Sequence, residues 1–106
     1  MLTRYINELR RKVNSIDATP EDRLLFAYAK AYYKGEEALK KFRKRLIARE
    51  INAVHDNDAQ LAILFNQYIE PAEYEAYQAF RVECKARADA TMARLKAELE
   101  KAVLLS

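Results

Sequence analysis

Gly35, Pro20 and Pro71 are the only glycine and prolines in a chain of 106 residues. Tight turns draw on these residue types, because glycine reaches positive φ without steric cost and proline pre-sets φ at a turn or helix start. A domain of this length ordinarily carries several times as many. The chain therefore has few turns, and few turns mean few, long elements.

The spacing of apolar residues says what those elements are. Leu2, Tyr5, Ile6, Leu9, Val13 and Ile16 recur every three or four positions and put one face of a first helix inward, with its end near Asn14–Asp17. Thr19-Pro20-Glu21-Asp22 then reads as a strong helix start. Threonine caps, proline takes the first helical position and Asp22 stands where a capping-box acid belongs. Leu25, Tyr28, Tyr32, Gly35, Leu39, Phe42 and Leu46 follow in alternating steps of three and four, a heptad seam. Gly35 costs helix propensity, or allows a close backbone approach, or marks a kink. Glu36 with Lys40, and Glu37 with Lys41, stand just after it in the favourable acid-first order, so one helix, bent or not, is expected from about Pro20 to about Ala53. His55-Asp56-Asn57-Asp58 breaks it, a short apolar helix spans Ala59 to about Asn66, and Pro71 opens a last long helix. Its stripe runs through Tyr74, Tyr77, Phe80, Cys84, Ala88, Met92, Leu95, Leu99 and Val103. No strand-like alternation is present. The expected fold is all-α: one domain over residues 1–106, a long coiled-coil-like helical hairpin with one or two shorter helices.

The core of such a chain is thin. Hydrophobic residues make up 51%, but 18 of them are alanines, which favour helix and bury little area. Part of the apolar surface is therefore expected to lie against another chain. Residues 1–50 hold 13 Lys/Arg against 7 Asp/Glu, and residues 51–106 hold 6 against 9, so the net +3 hides two halves of opposite sign. That asymmetry favours attraction within or between copies before it demands a nucleic acid. Cys84 is the lone cysteine, which excludes a disulfide scaffold. The longest uncharged run, residues 59–69, is far below the roughly 20 apolar residues of a spanning helix. A soluble chain in the reducing cytoplasm of a cell, or carried in a virion, is expected.

Chemistry finds little to work with. One histidine, His55, rules out paired Glu-x-x-His di-metal motifs and the His-Glu-x-x-His zinc site. Asp56-Asn57-Asp58 resembles the start of a calcium loop but lacks the turn glycine, and Gln67 stands where the bidentate glutamate is needed, so capping is the better reading. A chain with one glycine builds no phosphate loop. Ser15 and Ser106 lack the surroundings of an activated nucleophile. Tyr28, Tyr32, Tyr74 and Tyr77 lie on helical stripes and read as seam residues with hydroxyls at the edge, and Cys84 as a small buried hydrophobe. No catalytic, cofactor or metal residue is assigned, and no enzyme is expected.

Two interaction readings remain. Leu25, Tyr28, Tyr32, Leu39, Phe42, Leu46, Tyr77, Cys84, Leu95 and Leu99 form apolar seams suited to helical packing in a homo-oligomer or larger assembly. Lys40, Lys41, Lys44 and Arg45 form a basic helix face able to neutralise phosphates. Without aromatics interleaved for base stacking, nucleic acid is the less favoured partner.

Residues 44–93 add a resemblance. Lys44-Arg45-Leu46-Ile47, Asp58-Ala59-Gln60-Leu61-Ala62-Ile63-Leu64, Pro71-Ala72-Glu73-Tyr74-Glu75-Ala76-Tyr77 and Glu83-Cys84-Lys85 resemble small helical proteins of phages and prophages. In those, a basic apolar helix precedes a "DEIAIL"-like turn and helix and then a "PEEFAEYNAYVExCK"-like helix. Gln60 replaces their usual acid, and the first 40 residues have no counterpart. The resemblance implies a setting among tail and host-recognition genes, with other phage assembly proteins as partners. It brings no assigned activity and no functional residue.

Overall fold

The computed structural model describes residues 1–105 and is all-α. Five helices follow one another, α1 (Leu2–Val13), α2 (Pro20–Lys34), α3 (Glu36–Asn52), α4 (Asn57–Phe65) and α5 (Pro71–Leu105), with no strand among the described residues. Residues 1–43 and 91–106 form one compact unit, and residues 44–90 form a second.

The arm expected as one helix from Pro20 to Ala53 is two helices, and Gly35 divides them. Gly35 has φ 117° and ψ −171°, a conformation open to glycine and strained for other residues. Its N–H donates to the Ala31 carbonyl (3.0 Å) and closes α2, while its own carbonyl accepts from Leu39 N–H (3.1 Å) and opens α3. The acids read as carrying a helix past Gly35 instead sit in the first turn of α3, where they suit the positive end of its dipole. The break is needed for packing. In a straight helix Tyr28 and Phe42 would lie about 21 Å apart along the axis; their rings meet edge to face at 5.6 Å. Gly35→Ala is expected to cost about 1–3 kcal/mol in urea unfolding. The added Cβ meets nothing within 4 Å, so the loss is purely one of backbone strain. An unchanged midpoint would mean that the helix break does not need glycine.

In the first unit α1 packs closely on α2. Ile6 and Leu9 of α1, Tyr28, Ala29 and Ala31 of α2, Phe42 of α3, and Leu95 and Leu99 of α5 are buried. The small alanines permit close approach of the helices. Thr19 and Asp22 make the expected capping box, each backbone N–H bonded to the other's side chain at 3.1 Å. The Thr19 backbone N–H, aided by the Thr19 hydroxyl and the Lys12 charge, holds the Asp22 carboxyl below the usual aspartate range. That cap contributes fully above the ordinary aspartate value and fades as pH falls through the lowered one. Arg94 of α5 grips Glu21 with a two-pronged ion pair, its second nitrogen at 3.3 Å. Burial, with smaller effects from Tyr32 and Glu100, pushes the Tyr28 hydroxyl up.

In the second unit Ile51, Ile63, Tyr77 and Cys84 form a buried cluster, and Ile47, Tyr74 and Phe80 close around it. Arg87 reaches Glu50 at 3.1 Å and the Cys84 sulfur at 3.4 Å. Its guanidinium lies 5.8 Å from the Phe80 ring centre.

Candidate interaction surface

The ten seam residues turn inward. Tyr28, Phe42, Tyr77, Cys84, Leu95 and Leu99 are buried, and Leu25, Tyr32, Leu39 and Leu46 are half-buried. Within each unit they pack against the chain's own residues, so little of them is left open to another molecule.

An exposed apolar surface lies on α4. This helix starts at Asp56, whose carboxylate accepts the Ala59 N–H at 2.8 Å. Asp56 thus serves as the cap that the sequence favoured over a calcium loop. Gln60 then fixes the helix from within. Its side-chain nitrogen donates to the Asn52 side-chain oxygen (2.7 Å) and the His55 carbonyl (2.9 Å), and its oxygen accepts from the Tyr77 hydroxyl (2.7 Å). One amide therefore ties the end of α3 and the start of α5 to α4. His55 packs edge-on against Tyr77 and Phe80, ring centres 5.5 and 5.4 Å apart. The histidine is thus an aromatic spacer at the α3–α4 corner. Ile63, one turn beyond Gln60, enters the buried cluster.

Gln60 and Ile63 face inward, and the neighbouring flank of α4 is exposed and apolar. Leu61, Leu64 and Phe65 share that flank at the spacing of one helix face. Helix α4 ends at Phe65, its last turn closed by Asn66 N–H to Ala62 (3.0 Å), and a turn follows in which Glu70 N–H bonds to Asn66 (2.7 Å), so Tyr68 and Ile69 stand just beyond the helix. Phe65 is 80% exposed, Tyr68 91% and Ile69 76%, with Leu61 and Leu64 also open. Large exposed apolar patches are a common mark of contact sites. The uncharged run 59–69 was the sequence signal for this surface. Tested only for membrane length, it says nothing of which side faces out. No helix among the described residues is long and apolar enough to cross a membrane.

The basic residues Lys40, Lys41, Lys44 and Arg45 are exposed on α3, with Lys40 3.4 Å from Glu37. Among the described residues no group of three His, Cys, Asp or Glu side chains is placed to hold a metal ion. The Ser15 hydroxyl accepts the Asp17 N–H at 3.2 Å in the α1–α2 turn; Ser106 lies outside the described residues. Comparison of the chain with protein-family models, with curated proteins and with solved structures found no match in any of the three.

Proposed function

We propose that this chain is a non-enzymatic interaction protein that self-associates through the outer face of α4, as a component of a phage or prophage assembly. The observation that carries the reading is the exposed apolar strip Leu61, Leu64 and Phe65 on a helix whose inner face is already satisfied, continued by Tyr68 in the turn that follows it. With Ile69 these side chains present on the order of 700 Å² of surface, counting about 150–250 Å² for a whole aromatic side chain. A stable interface takes about 800 Å² from each partner. The phage setting rests on the resemblance of residues 44–93.

Nucleic-acid binding through Lys40, Lys41, Lys44 and Arg45 is the competing reading, and one variant separates the two. Replacing all four by glutamine is expected to leave self-association within a few-fold of the parent, since exposed charges contribute little to packing. Gel-shift titration of the parent with duplex and single-stranded DNA and RNA is expected to show no tight complex at physiological salt. Tight, steeply salt-dependent binding that the folded variant loses would make α3 the functional site instead.

A further inference from the structure

A second surface, on the first unit, has the chemistry that the α4 end of another copy calls for. A groove of about 310 Å³ runs between α1 and α2, with Ile6, Asn7 and Arg10 on one wall and Lys30, Tyr33 and Lys34 on the other. Its volume is at the low end for a ligand-sized site and accepts an aromatic side chain with its neighbours. Three cations line it, and no acid does. Arg10 and Lys30 converge on one ring: the guanidinium lies 5.7 Å and the ammonium 4.3 Å from the centre of Phe26. Arg10 is hydrogen-bonded to the neutral Asn7 side chain at 2.8 Å, and neither it nor Lys30 nor Lys34 has a carboxylate partner among the described residues. Two like charges held over one ring with no counter-charge create a positive potential that an anion relieves.

The chain itself carries the matching surface. Between Arg49 and Arg81 there is no Lys or Arg, while Asp56, Asp58, Glu70, Glu73 and Glu75 all fall in that span. Tyr68 and Ile69 stand exposed directly before Glu70, and Glu70 and Glu73 are exposed at the start of α5. Neither carboxylate has an ion-pair partner among the described residues. This corner offers apolar bodies flanked by negative charge, and the groove offers an apolar lining flanked by positive charge. We propose that the α1–α2 groove of one copy receives the α4–α5 corner of a second copy, Tyr68 and Ile69 against the groove lining and Glu70 and Glu73 against Arg10, Lys30 and Lys34. The proposal rests on the reading of α4 as the self-association surface and names what that surface meets. A free phosphate would answer the cations alone and leave the exposed Tyr33 uncovered; the corner answers both. Because the two surfaces differ, the contact is head-to-tail, and copies joined this way extend into a chain or close into a ring.

Charge reversal tests it on the full-length protein. Arg10→Glu with Lys30→Glu makes the groove negative, and Glu70→Lys with Glu73→Lys makes the corner positive. Each double variant alone is expected to lose association at least tenfold in sedimentation equilibrium. An equimolar mixture is expected to regain it, because every junction then pairs a groove with a corner of opposite sign. Circular dichroism checks that each variant is folded. If glutamates in α1 and α2 disturb the helices, Arg10→Gln with Lys30→Gln gives the same test with a smaller loss. Unchanged association in the groove variants, together with its loss in Phe65 and Tyr68 variants, would keep α4 as the contact and overturn the groove as its partner. Folded variants whose mixture does not recover would overturn it as well. A parent that stays monomeric throughout would overturn both readings.

Discussion

Leu95→Ala is expected to lower the unfolding free energy by about 3 kcal/mol, within a span of roughly 2–5 for buried leucines truncated to alanine. Leu95 is completely buried on α5, and it belongs to the unit that also contains α1, α2 and the buried Tyr28 and Phe42. Alanine is the better helix former, so nothing in the helix itself is lost. The whole effect comes from the three missing carbons and the void they leave. Urea unfolding should show a lower midpoint with an unchanged slope. Leu104→Ala on the same helix makes the control. Its side chain is 81% exposed, and the substitution is expected to fall within about 0.5 kcal/mol of the parent. Equal losses at the two positions would contradict the assignment of the core to this face of α5.

The second large effect is expected in association, with stability unmoved. Phe65→Glu with Tyr68→Glu places one charge at the end of the outer face of α4 and one in the turn that follows it. Both native side chains are open to solvent, so the folded monomer loses little by the change. In a dimer or longer assembly both would be buried, and aromatic anchors of that kind carry about 2 kcal/mol or more each. Two of them, replaced by charges that the contact would have to desolvate, are expected to weaken self-association by at least about a hundredfold. Thermal unfolding at concentrations where the parent is dissociated should be nearly the same for parent and variant. A variant that fails to fold would show instead that these side chains belong to the core.

Much of the fold was legible because its signals are local. The Thr19-Pro20-Glu21-Asp22 start, the Asp56 cap and the stripe from Tyr74 to Leu99 each depend on residues within a turn or two of one another, and each stands in the structure as read. At Gly35 the sequence allows a helix that runs on at a propensity cost, a kink or a close backbone approach, and nothing local decides among them. The residue's positive φ follows from a longer-range demand, the meeting of Tyr28 with Phe42, which no propensity records. The interaction surface was hidden for a related reason. Periodicity marks an apolar face without saying what covers it. Tyr28, Phe42, Leu95 and Leu99 looked like a seam for a partner and are covered by the chain itself. Leu61 and Phe65 looked like part of an ordinary short apolar helix, with Tyr68 just beyond its end. Only the bonds of Gln60 to Asn52, His55 and Tyr77 fix which side of α4 faces inward. The groove cations were counted in a net charge, where the gathering of Arg10 and Lys30 over Phe26 could not appear.

Sedimentation equilibrium of the parent beside the Phe65→Glu/Tyr68→Glu variant, from low micromolar to several hundred micromolar, tests the central claim most directly. The monomer mass is 12.4 kDa. The α4 contact predicts that the parent's average mass rises above this value with concentration, while the folded variant holds the monomer mass over the whole range. A parent that remains a monomer throughout, or a folded variant that associates as strongly as the parent, would contradict it.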